Sequence, residues 1–157
     1  MKIIIPDKDV ALNYALDELD YSYNLLGKTA SQEDINKTIN YINNVYDNNK
    51  DHKIFSIDNQ AIAIVDIDYN RKLMAIECCY TNEASRGKGY ASALLKYIIN
   101  YKKEYFKDFQ LVLVVVKTNY KAKNVYASNG FVVHHSNDEY DWMSYRGFNN
   151  NVYWSAR

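Results

Sequence analysis

The chain has 157 residues, which is enough for one domain with a sheet and helices on both of its faces. Its 19 basic and 19 acidic residues cancel, so it lacks the global positive field that attracts nucleic acid. It contains no run of about eighteen apolar residues, and the apolar block at its N-terminus is too short for a signal peptide, so we expect a soluble, cytoplasmic protein that binds no membrane.

Apolar periodicity predicts strands and helices along most of the chain. The predicted strands are runs of apolar and β-branched residues at 2–5, 53–57, 61–69, 73–81, 111–116, 131–135 and 140–145. The predicted helices begin at Asp7 or Asp9, at Ser31, after Gly89 and at Asn119. Residues 148–157 are aromatic but show no pattern; we expect them to pack against the domain. The predicted order is β, α, α, β, β, β, α, β, α, β, β.

Two glycines stand where the strand 73–81 gives way to an amphipathic helix. Gly87 and Gly89 precede apolar residues that recur at helical spacing from position 91 to 99. Amides in the first turn of a helix lack intrahelical acceptors, and the helix dipole favours an anion there. The pattern therefore predicts a phosphate cradle, although a tight turn without a ligand is the alternative. A P-loop is rejected, because Asn82 and Gly89 occupy the places where that motif needs Gly and Ser or Thr.

A second cluster follows the apolar strand 111–116, and together the two clusters resemble the GNAT-type (Gcn5-related) N-acetyltransferase superfamily. The family's pyrophosphate loop, Gln/Arg-x-x-Gly-x-Gly/Ala, is matched by Arg86, Gly89 and Ala91. Its next helix, Asn-x-x-Ala-x-x-Leu-Tyr-x-x-x-Gly-Phe, is matched by Asn119, Ala122, Val125 in place of Leu, Tyr126, Gly130 and Phe131. The resemblance covers about residues 52–135 well and the flanks in outline.

The resemblance implies a fold and a reaction. The fold is a single mixed α/β domain over 1–157, a twisted, mostly antiparallel sheet of about seven strands flanked by about four helices. The reaction is direct transfer of an acetyl group from acetyl-CoA, the cosubstrate, to a primary amine in a ternary complex. A CoA-binding regulatory or interaction protein without activity is the chief alternative, and a ligand-free structural domain is another. The oligomeric state, including a homodimer, stays open.

The resemblance also assigns cofactor contacts. Backbone amides of the glycine loop would bind the pyrophosphate, and the loop residues are Arg86, Gly87, Lys88, Gly89, Tyr90 and Ala91. The backbone of Cys79, Tyr80 and Thr81 would pair with the pantetheine arm as a further strand. Asn119 would cap its helix, contact the same arm, or do both. The side chains of Arg86 and Lys88, like Lys121 and Lys123, are expected to be solvated charges rather than phosphate ligands.

Two residues are candidates for proton transfer. Tyr126, whose phenol stays protonated at neutral pH, would be the general acid that protonates the leaving thiolate, and a core tyrosine is the alternative. Glu77 would be the base, because a carboxylate inside an apolar strand is costly unless it faces a cleft or is paired. A solvent-facing strand position or a structural ion pair would explain it equally well.

No metal site is expected. Cys78 and Cys79 are adjacent in a predicted strand, so their side chains should point to opposite faces of the sheet. The histidines at positions 52, 134 and 135 have no metal-ligand spacing with them.

Acidic residues in the first helix and in a late turn bear on the acceptor, because both regions flank the acceptor site in proteins of this fold. They are Asp7, Asp9, Asp17, Glu18 and Asp20, and then Asp138, Glu139 and Asp141. With Tyr14, Tyr21 and Tyr23 they would form an acidic, aromatic-lined entrance that favours a cationic amine. An ordinary solvated helix face is the alternative. A peptide N-terminus, lysine, a polyamine, an aminoglycoside and an amino sugar all stay open as acceptors.

Overall fold

The structure, a computed structural model, describes residues 1–147 of the chain. The prediction made for residues 148–157 therefore falls outside the described residues. The strands of the described part are β1 Ile3–Ile4, β2 His52–Ile57, β3 Ala61–Asp68, β4 Leu73–Thr81, β5 Gln110–Val116, β6 Phe131–Ser136 and β7 Tyr140–Tyr145. The helices are α1 Lys8–Leu25, α2 Gln32–Asp47, α3 Tyr90–Tyr105 and α4 Tyr120–Ser128, with a 3₁₀ turn at Glu83–Ser85. This order confirms the order predicted from the sequence.

The strands form one open sheet in the order β1-β2-β3-β4-β5-β7-β6. Every neighbouring pair is antiparallel except β4 and β5, which run parallel. A parallel pair needs a crossover connection, and α3 supplies it between these two strands. The fold class implied by the resemblance, a mixed and mostly antiparallel sheet with flanking helices, is therefore confirmed.

Local sequence signals account for where the helices begin. At the start of α2, the Ser31 hydroxyl accepts from the Asp34 amide at 3.1 Å, and the Asp34 carboxylate accepts from the Ser31 amide at 3.0 Å. This capping box uses two amides that would otherwise lack partners. At the start of α4, Asn119 Oδ1 accepts from the Ala122 amide at 3.3 Å, which confirms the cap expected of Asn119.

The core lies on both faces of the sheet. On one face, the apolar side of α3 is buried against the central strands and α4; its buried residues are Leu94, Leu95, Ile98 and Ile99, all on the face predicted from their spacing. On the other face, α1 and α2 cover β3 and β4 through a smaller cluster that includes Ala15, Ile42 and Ile64. None of the helices of residues 1–147 has the length and apolarity required to span a bilayer.

Candidate active site

The central parallel strands separate before they end. β4 and β5 are paired only as far as Ile76 and Leu113, although β4 continues to Thr81 and β5 to Val116. Beyond these residues the two strands open a gap on the carboxyl side of the sheet. In open α/β sheets this is where ligands bind.

A β-bulge at Glu77 coincides with the start of the gap. Cys78 pairs with Ile64, and Ile76 pairs with the next residue of β3, so Glu77 is an extra residue in β4. An extra residue interrupts the alternation of side chains between the two faces. As a result Ile76 and Cys79 both pack against the core on the α3 side, whereas Cys78 lies in the cluster on the α1 side. The prediction that the two cysteines point to opposite faces is confirmed.

The glycine loop leads from the gap into α3. Gly87 has φ of +76° and Gly89 has φ of +84°, a left-handed conformation that non-glycine residues adopt at a cost. The first amide of the helix with a helical acceptor is that of Ala93, which donates to the Gly89 carbonyl at 3.0 Å. The amides of the three preceding residues have no carbonyl within the helix to bind. A Cβ atom built at either glycine would meet nothing within 4 Å, so the loop presents an open concave backbone.

The side chain of Arg86 is tied to the end of β4. Its Nε donates to the Thr81 carbonyl at 3.1 Å, and its Nη2 donates to the Tyr80 hydroxyl at 3.1 Å. Its guanidinium lies between the rings of Tyr21 and Tyr80, 5.1 Å and 5.3 Å from their centroids. The Arg86 side chain is exposed, as expected of a solvated charge, but it also fixes the loop onto the strand and engages the Thr81 carbonyl.

Tyr126 lies in α4 and interacts with Cys79, a residue of β4 beyond its last pair with β5. It is only 8% exposed, and its hydroxyl donates a hydrogen bond to the thiol of Cys79. Burial raises the pKa of Tyr126 well above its usual value of 10, and its interactions with the ionisable groups of Cys79 and Glu18 raise it further. The phenol therefore keeps its proton at neutral pH. Its ring packs against Phe131 in the core, with 6.0 Å between the two ring centroids.

The Cys79 thiol is held in its neutral form. Burial raises its pKa to about 12. The hydrogen bond from Tyr126 lowers this pKa, and the charge of Glu18 raises it. Because the thiolate is the nucleophilic form of cysteine, Cys79 is a poor nucleophile at neutral pH.

Comparison with known proteins identifies this architecture. Residues 14–131 match the model of the acetyltransferase (GNAT) family. The chain belongs to the GNAT family. No curated protein matches the sequence.

Solved structures of GNAT proteins share the fold at low sequence identity. PaiA N-acetyltransferase from Thermoplasma acidophilum, in complex with coenzyme A, is 20% identical with a TM-score of 0.67, over 92% of this chain and 98% of that one. Spermidine N-acetyltransferase from Vibrio cholerae, in complex with CoA and spermine, is 16% identical with a TM-score of 0.65, over 91% of this chain and 93% of that one. A GNAT-family acetyltransferase from Staphylococcus aureus is 14% identical with a TM-score of 0.66, over 91% and 98%.

In this GNAT chain one carboxylate of the predicted acidic entrance is partly withdrawn from solvent. Glu18 of α1 is half-buried, and its Oε1 accepts from the Ser22 hydroxyl at 3.1 Å. Burial raises the pKa of Glu18 to about 7; the Ser22 hydrogen bond opposes this increase and the nearby Glu77 adds to it. The sequence carried one signal for this position: Glu18 is three residues after Ala15 and seven after Ala11, the buried residues of α1.

Both proton-transfer candidates interact electrostatically with Glu18. Glu77 acts on the pKa of Glu18, and Glu18 acts on the pKa of Tyr126 and of Cys79.

The late turn differs from the acidic entrance that was predicted. Asp141 is only 3% exposed, its Oδ2 is 2.6 Å from Lys123 Nζ, and its Oδ1 accepts from the Ser136 hydroxyl at 2.6 Å. Burial opposes ionisation, but these two hydrogen bonds hold the pKa of Asp141 below its usual value. Asp141 is therefore not an entrance charge, and Lys123 does not lie on a solvated helix face. Glu139 is paired with Lys28 at 2.7 Å.

The aromatic residues of the predicted entrance are also engaged with the protein. The Tyr14 hydroxyl donates to the Asn59 carbonyl at 2.6 Å, and Tyr21 packs on Arg86.

Within residues 1–147 no group of three or more His, Cys, Asp or Glu side chains is placed to hold a metal ion. His52 pairs with Asp66, with Nδ1 2.6 Å from Oδ1.

Proposed function

We propose that this protein is an N-acetyltransferase that transfers the acetyl group of acetyl-CoA directly to a primary amine bound at the same time. The observation that supports the proposal is that β4, beyond its last pair with β5, leads into an open loop of amides and carries Cys79, with which the buried and protonated Tyr126 interacts. Membership of the acetyltransferase family supports this function, and the Thermoplasma and Vibrio structures are both complexes with CoA.

The donor would occupy the gap and the loop. The pyrophosphate would bind the amides from Gly87 to Ala91, where the positive end of the α3 dipole favours an anion. The pantetheine arm would lie along β4 at residues 79–81, which continue past the last pair with β5 and can pair with an extended ligand. Asn119 caps α4 on the other side of the gap, from which its side chain would reach the same arm.

The chemistry would be direct attack of the amine on the thioester. A neutral Cys79 thiol disfavours an acetyl-cysteine intermediate, so the amine itself would be the nucleophile. Tyr126 would donate its proton to the departing thiolate, which is a stronger base when desolvated in the gap. A carboxylate must take the proton of the incoming ammonium ion, and Glu77 is the base that the sequence predicts.

The acceptor would be a cationic amine. Glu77 lies at the bulge where the gap begins and repels Glu18, and an ammonium ion bound there would reduce that repulsion. The Vibrio protein of the same fold was determined with spermine bound, which supports testing polyamines first.

Calorimetry and a thiol-release assay test the proposal. We expect acetyl-CoA to bind the purified chain, and free thiol to appear, with a mass-confirmed acetylated product, when an amine panel of polyamines, lysine peptides, amino sugars and aminoglycosides is added. Binding of CoA without thiol release on any amine would identify a CoA-binding regulatory protein instead. Failure to bind CoA would refute the proposal entirely.

A further inference from the structure

The segment from Tyr21 to Lys28 runs from the end of β4 to the end of β5. At its first end, the ring of Tyr21 packs on the guanidinium of Arg86, 5.1 Å from the ring centroid, and Arg86 donates to the carbonyl of the last residue of β4. At its other end, Lys28 Nζ lies 2.7 Å from Glu139 Oε2. The Glu139 carbonyl accepts from the amide of Lys117, the residue after β5, at 2.8 Å. This entrance segment therefore spans the mouth of the gap between the two strands.

The entrance segment lies on the face of the sheet opposite to α3. It includes the last turn of α1, and α1 packs on the cluster that contains Ile64 and Cys78. The helices proposed to hold acetyl-CoA, α3 and α4, pack on the other face, through the cluster that contains Leu94 and Tyr126. A donor bound on the α3 side leaves the α1 side for the acceptor, so the acceptor has to pass the entrance segment.

The two ends of the entrance segment are held differently. Tyr21 lies in α1, and the side chain of its partner Arg86 is fixed by two hydrogen bonds. Lys28 follows the end of α1 and Gly27, whose φ is +68°. The side chains of Lys28 and Glu139 are 53% and 42% exposed. Such an exposed ion pair contributes little to stability and is screened by salt. The ion pair between Lys28 and Glu139, here called the entrance ion pair, can therefore open without unfolding any helix or strand.

Glu139 is the rigid partner of the entrance ion pair. It lies in the turn between β6 and β7, where the Asn137 side chain accepts from the amides of Glu139 at 2.9 Å and Tyr140 at 2.7 Å. Tyr140 in turn pairs with Val116, the last residue of β5. The Glu139 carboxylate is thus held beside the gap on a fixed backbone, whereas its partner Lys28 has a long, flexible side chain.

We propose that an acceptor amine opens the entrance ion pair as it enters, and that a second cationic group of the acceptor then replaces Lys28 at Glu139. An acceptor with one amine opens the ion pair without replacing it, so the exchange favours polyamine-like acceptors. The inference rests on the proposed acetyltransferase function and names the residues that select its acceptor. It also separates two acids of the late turn, because Asp141 is committed to Lys123 in the interior, whereas Glu139 can exchange its partner.

Two acceptors that differ only in their distal group test the exchange. Putrescine carries a second ammonium group, and the amino alcohol of the same chain length carries a hydroxyl group in its place. The measured quantity is kcat/KM for each acceptor at constant ionic strength. In the wild type it should be about two- to fivefold higher for putrescine, which is the range that an exposed ion pair supports.

Three variants separate the opening of the ion pair from the binding of the second cation. Lys28→Met removes the ion pair but keeps the anion, so kcat/KM should rise about two- to fivefold for both acceptors, with kcat unchanged. Glu139→Gln removes both, so kcat/KM should rise by the same factor for the amino alcohol and stay unchanged for putrescine. The double variant should match Glu139→Gln, because Lys28 acts only through Glu139.

Two controls show that these effects belong to the entrance. Lys37→Met breaks another exposed ion pair, that of Lys37 with Glu33 at 3.0 Å in α2, and should leave both acceptors unchanged. Calorimetry should give the wild-type affinity for acetyl-CoA in every variant, since the donor elements lie on the other face of the sheet. Putrescine titrated into the complex with CoA should repeat the order of the variants without turnover.

The outcomes distinguish this inference from the proposed function. If Glu139→Gln lowered kcat/KM for putrescine and left the amino alcohol unchanged, the turn would act as an ordinary acidic surface and the inference would be wrong. An active wild type whose variants show no change with either acceptor, or which acetylates other amines but neither of these two, would also overturn the inference and leave the function standing. A wild type that binds acetyl-CoA but acetylates no amine would overturn both.

Discussion

Replacing Glu18 by glutamine should stabilise the protein at alkaline pH. Glutamine is close in shape and still accepts the Ser22 hydrogen bond, but it cannot ionise. The folded pKa of Glu18 is raised from its usual value of 4.5 to about 7. The folded state therefore binds this proton more tightly than the unfolded state does. Below pH 4.5 the carboxyl group does not lower the free energy of unfolding. It lowers this free energy increasingly between the two pKa values, and by the full amount above the folded pKa.

The size of the effect follows from the two pKa values. A difference of about 2.5 in pKa corresponds to a free energy on the order of 3 kcal/mol. Glu18→Gln should thus raise the free energy of unfolding by about 3 kcal/mol at pH 8 and by less than about 1 kcal/mol at pH 5. Any contribution of the substitution that does not involve ionisation is common to both pH values and cancels in the comparison.

Urea denaturation followed by circular dichroism at the two pH values measures this difference. Glu33→Gln, which removes an exposed carboxylate, should show almost the same stability as the wild type at both. If Glu18→Gln changed the free energy of unfolding equally at pH 5 and pH 8, the carboxyl group of Glu18 would not be desolvated in the folded protein.

Three further variants test the loop, the acid and a buried ion pair. Gly89→Val should weaken acetyl-CoA binding at least about tenfold, as measured by calorimetry. Gly27→Val, a control at a similar φ of +68°, should leave the affinity unchanged. Equal affinities of the two variants would refute the phosphate-binding role of the loop. Tyr126→Phe should lower kcat about 100-fold in the thiol-release assay with CoA affinity retained, and a normal kcat would make Tyr126 a packing residue. Asp141→Asn should cost about 2 kcal/mol in urea denaturation by leaving Lys123 without its anion, and an unchanged midpoint would show that the pair contributes nothing.

Much of the fold could be predicted because its signals are local. The helical spacing after Gly89, the apolar run of β5 and the Ser31 cap each lie within a few neighbouring residues. The observed ends of some strands, such as β1, differ from the predicted ends by one or two residues, because strand ends depend on the partner strand as well as on composition.

The site could be predicted only where it depends on local backbone. The glycine loop is one continuous segment, so its geometry follows from the sequence. The bulge at Glu77 depends on how β4 pairs with β3, and the pairing of Asp141 with Lys123 depends on how β7 meets α4. The environment of Glu18 depends on the approach of three elements distant in sequence. An amphipathic pattern identifies a buried face, but it does not identify the groups on the opposite side of the interface.

The separation of β4 from β5 leaves an unfinished ladder in the middle of the sheet rather than at its edge. Past Ile76 and Leu113, every second residue of each strand directs its amide and carbonyl toward the gap. Beyond the last pair the two strands give each other no ladder hydrogen bonds, although the other side of each strand is paired with β3 or β7. Amide hydrogen exchange should therefore be faster at alternate residues of 78–81 than in the paired part of β4. A ligand that pairs with these backbone groups would slow exchange at the same alternate positions. Exchange data would therefore show, residue by residue, which amides of β4 bind the ligand.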